Sequence, residues 1–308
     1  MDLEKQFKKL RPHLKPNSIK TYVSTIQRLK KVDEHLDYRP ISSYLKMLPV
    51  TNAVTLLTPL IVLEGRTRFG RLYDSLIEDA DKMRGQQRLT PTELNNWTSS
   101  LEIKKGIKRA KFEVSKLKIL TNPRQLKSHD FQILQHLLVL TFYSEFHFRS
   151  DLVSIKLGRH KGENYYYDGQ IYLNQFKTDK QFNRRGLLPL IYEPSRSLKA
   201  LLTRFIYIRS LQPEIEHKYL IVNKMSKPVS RNTFYKYMSS IMFKYVGVRI
   251  GTSMLRHVYL TEFLSKNPGL EERKKMLRNM QQLSLETQMS YERKYKPNGE
   301  IFKPTTKR

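Results

Sequence analysis

Tyr165-Tyr166-Tyr167-Asp168-Gly169-Gln170-Ile171-Tyr172-Leu173-Asn174-Gln175-Phe176 is the stretch that decides the fold class. Two runs of aromatic and branched residues, Tyr165–Tyr167 and Ile171–Phe176, flank Asp168-Gly169. That pair suits a type I′ turn, so the stretch predicts a β-hairpin. Upstream, Leu152–Leu157 alternates like a short strand, and downstream Gly186–Tyr192 supplies another. Beyond these strands the apolar period becomes helical. A capped helix is expected from Ser128, with Phe131, Leu134, Leu137 and Leu138 on its apolar side. After the strands come helices at about Ser195–Leu211, Ser230–Val246, Ser253–Leu264 and Leu270–Asn279. The expected fold is mainly α with a small antiparallel β-sheet inserted in a helical domain.

The first third of the chain reads as helical throughout. Pro16-Asn17 opens a stripe of Ile19, Tyr22, Val23, Ile26 and Leu29. Arg68–Gln86 carries Leu72, Leu76 and Ile77 on one side. Thr90-Pro91-Thr92-Glu93 has the form of a capping box with Pro at the first helical position, and Trp97 and Leu101 are expected on that helix's inner face. Lys104–Lys118 is a basic helix, and Asn122-Pro123 follows it. The expected division is therefore a helical domain over 1–120 and a second domain over 124–308.

Charge narrows the partners. The chain has 308 residues, with 57 Lys and Arg against 28 Asp and Glu, a net charge of +29. The surplus runs along the whole chain. A polyanion that it wraps, nucleic acid first and an anionic membrane a distant second, is the expected partner. There is no cysteine, which excludes a disulfide scaffold and thiolate metal sites and agrees with a reducing compartment. Residues 1–20 are polar and basic, unlike a signal peptide. The longest apolar stretches, Thr55–Leu63 and Ile133–Phe142, are too short to span a bilayer. The histidines are scattered, and no metal or other cofactor is expected.

Four segments carry chemistry. Arg149, in Phe148-Arg149-Ser150-Asp151-Leu152, stands at the junction between an apolar helix and a strand. A charge facing inward there needs a partner, and a guanidinium grips a phosphate with a planar fork. Lys177, in Phe176-Lys177-Thr178-Asp179-Lys180, follows a strand, where a flexible ammonium can swing into a cleft; Lys180 is its rival. Arg256 and His257 lie among Leu255, Val258 and Leu260, on a core-facing helix. His257 suits either a hydrogen-bonded structural role or contact with a phosphate oxygen. Tyr291, in Thr287-Gln288-Met289-Ser290-Tyr291, has a polar neighbourhood that a core tyrosine would lack, and Tyr295 is the competing nucleophile. Arg, Lys, Arg and a late Tyr form the set that a phenol needs to attack a phosphodiester.

This pattern resembles the tyrosine recombinase (phage-type integrase) family over nearly the whole chain, most specifically over 128–295. Lys15–Tyr22 is similar to the first helix of the family's core-binding domain. Phe148-Arg149 resembles the first catalytic arginine, and Lys177-Thr178 before Leu188-Pro189-Leu190 resembles the β-hairpin lysine. Leu255-Arg256-His257 is similar to the second arginine box, and Thr287-Gln288-x-x-Tyr291 to the nucleophile segment. The overall pattern is most similar to recombinases of eukaryotic DNA viruses and virophages. Two positions depart from the family: Ser253 and Gln282 stand where a histidine, or a tryptophan at the second, is usual.

The resemblance implies an N-terminal helical core-binding domain followed by an α/β catalytic domain. It implies metal-free DNA strand cleavage and rejoining through a 3′-phosphotyrosyl link, with Tyr291 as nucleophile and Arg149, Arg256, Lys177 and His257 as its catalytic partners. It also implies that the two domains close on double-stranded DNA, and that a homotetramer assembles on two sites. Two other readings share parts of the pattern. A type IB topoisomerase uses the same chemistry as a monomer. A catalytically decayed DNA-binding protein would fit the loss of both histidines.

Overall fold

The computed structural model describes residues 2–123, 126–212, 214–215, 218–282, 284–285 and 291–293. The chain divides into two compact units between Arg88 and Leu89.

The first unit is helical. Its elements are α1 (Leu3–Leu10), α2 (Pro16–Lys30), α3 (Tyr38–Lys46), α4 (Val50–Glu64) and α5 (Gly70–Gly85). Asp2 caps α1 by accepting the Glu4 N–H, and Pro16 opens α2 where its missing N–H costs nothing. α4 is the central helix, packed against α1, α2, α3 and α5, and it continues through Pro59. Phe7, Ile26, Leu29, Ile41, Leu45, Leu57 and Leu60 are fully buried around it.

The second unit begins with α6 (Pro91–Asn96), α7 (Ser100–Lys116) and α8 (Ser128–Glu145). The Thr90–Glu93 capping box forms as the sequence predicts. Leu101 does not face inward: α6 ends at Asn96, and Leu101 is exposed in the first turn of α7. The domain boundary also lies elsewhere than Asn122-Pro123. Ile103, Ala110 and Val114 bury one side of α7 in the second unit's core, against α8 and α11 (Arg231–Val246). Gly106 makes that contact possible, since a Cβ there would sit 2.7 Å from Val246 Cγ2. The basic side of α7 masked this in the sequence.

α8 is buried nearly all round, from Phe131 to Tyr143, as a helix enclosed by other helices must be. It packs on α7, α11 and α10 (Arg196–Ser210). A 3-10 turn, Ser150–Ser154, leads from it into a four-stranded sheet: β1 (Lys156–Leu157), β2 (Tyr165–Tyr167), β3 (Gln170–Leu173) and β4 (Leu190–Tyr192), in that order. Asp168 and Gly169 both take positive φ, 49° and 71°, as a type I′ turn requires. The sheet is mixed. β2–β3 and β3–β4 are antiparallel, but β1 pairs parallel to β2, with Lys156 opposite Tyr165. No tight turn joins those two strands. The connection 158–164 loops back through Gly158 and Gly162, at φ 87° and 78°. Leu152 and Val153 belong to the 3-10 turn; they are buried there without joining the ladder. A short helix, α9 (Asp179–Asn183), lies in the β3–β4 connection. α12 (Thr252–Leu264) and α13 (Leu270–Asn279) complete the described elements.

Candidate active site

Three elements of the second unit deliver the site. The first is the exit of α8. Phe148 is fully buried, its ring 4.7 Å from Tyr192 and 5.5 Å from Phe142. The Tyr143 hydroxyl donates to the carbonyl of Arg149 at 2.5 Å. With the backbone held on both sides, Arg149 leaves the aromatic cluster and is half-buried. Its Nη2 donates to the Tyr291 hydroxyl at 2.9 Å.

The second element is α12. Leu255, Val258 and Leu260 anchor it in the core, and Arg256 is carried inward with them, only 1% exposed. Its Nη2 donates to the Met280 carbonyl. Its Nε and Nη1 are buried and meet no acceptor among the described residues. The guanidinium carbon lies 5.0 Å from the centre of the Tyr291 ring. Burial lowers the Arg256 pKa to about 10, so it stays charged at neutral pH. A buried cation with two idle N–H groups is costly unless an anion arrives to receive them.

Tyr291 is the third. Burial alone would raise its pKa, but Arg256, Arg149 and Lys177, with the Arg149 hydrogen bond, outweigh it and lower the value below that of an ordinary phenol. A phenol made more acidic by cations is a better-prepared nucleophile. His257 stands beside it, ring centres 4.8 Å apart. Burial, with the positive charge of Arg293, lowers the His257 pKa to about 4, so the ring is neutral. Its Nδ1 lies 2.7 Å from the Tyr291 carbonyl. A carbonyl only accepts, so Nδ1 carries the proton and donates it. His257 therefore holds the main chain of the tyrosine, which favours the hydrogen-bonded role over an acid.

The structure thus brings Arg149, Arg256, His257 and Tyr291 together in one cluster. Lys177 is exposed between β3 and α9, close enough for its charge to act on Tyr291. Next to it, Thr178 Oγ1 donates to the Gln281 carbonyl at 2.8 Å, tying the lysine's loop to the segment after α13. Lys180 is exposed in α9. Ser253 is exposed, and Gln282 is 5% exposed. Tyr295 lies outside the described residues, as do Thr287, Gln288 and Ser290. Among the described residues no cluster of three or more His, Cys, Asp or Glu could hold a metal ion, and no helix is long and apolar enough to cross a membrane.

Sequence reasoning missed several neighbours. Asp151 is 2% exposed and paired with Arg231 at 3.1 Å; burial raises its pKa against that pairing. Glu93, read only as a helix cap, is buried against Arg293. Arg293 had one signal, its place two residues after Tyr291.

No protein-family model matches the chain, and no curated protein matches its sequence. Among solved structures, the crystal structure of XerA recombinase is similar at 13% identity, covering 94% of this chain and 92% of that one, with a TM-score of 0.43. The chemistry of the site is accordingly read from its own geometry.

Proposed function

We propose that the protein cleaves and rejoins double-stranded DNA as a tyrosine recombinase. The observation that carries this reading is the Tyr291 hydroxyl held 2.9 Å from Arg149, over a buried Arg256 with two N–H groups to spare. In the first step Tyr291 releases its proton to solvent and its oxygen attacks the scissile phosphorus. The P–O5′ bond breaks, its electron pair leaves on O5′, and Lys177 gives that oxygen a proton. The product is a 3′-phosphotyrosyl ester and a free 5′-hydroxyl. A 5′-hydroxyl from a second duplex then reverses the step and restores the phenol. One phosphoester replaces another, so no ATP is needed. Arg149 and Arg256 supply positive charge where the phosphorane oxygens become most negative, the kind of donor whose loss costs about 10²–10³-fold.

The net charge of +29 supports a DNA partner, with both units touching the backbone. Four protomers on two duplex sites is the assembly such an exchange requires. Integration of a viral genome is one form of the reaction, and repeats flanking an element that carries the gene are its genomic signature.

The test is covalent capture. A pool of nicked duplexes of randomised sequence, with a bridging 5′-phosphorothiolate at the cleavable position, is incubated with protein in EDTA and resolved on a denaturing gel. Wild-type protein is expected to become attached to DNA. Tyr291→Phe is expected to lose attachment entirely while binding DNA within severalfold of wild type. Attachment that survives Tyr291→Phe and disappears in Tyr295→Phe would move the nucleophile four residues along the chain. A strict Mg²⁺ requirement would sink the phosphotyrosine route. Binding with no attachment at all would leave a DNA-binding protein without catalysis. Relaxation of a supercoiled plasmid with no exchange between duplexes would instead indicate a topoisomerase.

A further inference from the structure

We propose that Glu93 and Arg293 form a latch that positions Tyr291 for attack; the idea rests on the strand-cleaving reading above and adds two positioning residues to it. Glu93 is the third residue of α6, and its carboxylate accepts the Thr90 N–H at 2.8 Å. A capping-box glutamate needs nothing more and is ordinarily solvated. This one is 8% exposed and faces a guanidinium 200 positions away in the chain. Arg293 Nε donates to both carboxylate oxygens at 3.2 Å, and Nη2 donates to Oε1 at 2.7 Å. The two side chains are 10% and 13% exposed. Burial would raise the Glu93 pKa, but the Arg293 hydrogen bonds and the Thr90 N–H more than reverse it, so the carboxylate is held ionised.

The pair does not act alone on the nucleophile's segment. The backbone N–H of Arg293 donates to Thr261 Oγ1 at 3.0 Å, and Thr261 is 1% exposed. Thr261 lies one turn beyond His257 on α12, and His257 Nδ1 donates to the Tyr291 carbonyl at 2.7 Å. The far edge of the same imidazole, Nε2, is 3.8 Å from Glu93 Oε1. Residues 291–293 are therefore tied to α12 by two backbone contacts and to α6 by the ion pair. α12 also carries Arg256. The phenol and the guanidinium under it are referenced to one helix, and the latch sets the distance between them. Small errors there are expensive: a misplacement of about 1 Å costs on the order of 10²-fold in rate. Breaking one side of a buried ion pair also leaves the other charge stranded, which displaces the segment it belongs to.

The test compares Glu93→Gln, Arg293→Gln and the double variant; Glu93→Gln keeps the shape of the side chain and an acceptor for the Thr90 N–H. Three quantities are read on duplexes recovered from the capture pool: the single-turnover rate of attachment at saturating DNA, the Kd and the melting temperature. Each single variant is expected to slow attachment by about 10²-fold with little change in Kd, and the double variant to be no slower than the slower single. In DNA-free protein with fluorotyrosine in place of Tyr291, each variant is expected to shift or broaden the fluorine resonance. Wild-type rates, multiplying defects, or a lower melting temperature with an unchanged rate for the bound complex would each overturn the latch. If wild-type protein attaches to no DNA, the function proposed above fails, and the fluorine spectrum still judges the latch. An unmoved resonance would then discard it.

Discussion

The two units differ in how much charge they bury. In the first, the ion pairs stand in water: Arg66–Asp74 at 3.0 Å has side chains 63% and 50% exposed, and Arg84–Asp81 at 2.6 Å has 61% on both. Its interior is made of residues such as Phe7, Ile26, Leu57 and Leu60. In the second unit, Arg256, Asp151 and Glu93 lie below one-tenth exposure. Burying an ionised group costs several kcal/mol before any partner is found. A fold that does so repeatedly around one tyrosine gives up stability for something other than stability. On the function proposed above, the contrast separates basic residues for general phosphate contacts from the few held for one phosphate.

Two large effects test that contrast, and the first lies at its centre. Arg256→Met is expected to slow strand cleavage by about 10²–10³-fold while leaving the melting temperature of DNA-free protein unchanged or higher. The reason is that two of its buried N–H groups meet no acceptor among the described residues. A lower melting temperature with normal cleavage would make Arg256 a structural residue.

Lys177 comes next. Lys177→Ala is expected to slow cleavage by roughly 10²–10⁴-fold when the leaving group is a 5′-oxygen, and far less when it is a 5′-sulfur. Sulfur departs without needing a proton, so a general acid becomes dispensable. Equal defects on both substrates would make Lys177 a binding residue and turn attention to Lys180.

The buried histidines give a third, smaller effect. His136, His147 and His257 have pKa values lowered from 6.5 to about 4, by burial first and by a nearby cationic side chain second. Between those limits the unfolded chain binds protons that the native state does not. Their contribution is complete above pH 6.5 and is lost as pH falls towards 4, with a slope of up to about 4 kcal/mol per pH unit for three groups. Denaturation midpoints measured across this range check the sign. Stability that rises on acidification would mean that these rings are charged in the fold. The smallest effect belongs to the first unit: Arg66→Ala, removing an exposed pair, is expected to change stability by less than about 1 kcal/mol and to leave the attachment rate of bound complexes unaltered. A rate defect there would erase the difference between the two units.

Local signals announced much of this fold. Asp168-Gly169 specified its turn because few residue pairs tolerate two consecutive positive φ angles. Thr90–Glu93 specified its cap because the hydrogen bonds close within four residues. The helices after β4 follow the apolar period to within a residue or two at each end. Contacts between distant segments were not announced in the same way. The parallel pairing of β1 with β2 depends on how 158–164 loops back, and no dipeptide specifies that path. The assignment of α7 to the second unit depends on Gly106 meeting Val246 across 140 positions, while the helix's own sequence shows five lysines and an arginine among its 17 residues.

The site divides along the same line. Residue type and order named Arg149, Lys177, Arg256, His257 and Tyr291, because a phenol attacking a phosphodiester needs cations and a proton donor whatever the fold. Only the tertiary structure decided what each side chain does there. It turned His257 towards a backbone carbonyl, left two Arg256 N–H groups without a described acceptor and joined Glu93 to Arg293. Protonation and positioning depend on burial and on neighbours far away in the chain. Those quantities exist only once the chain has folded.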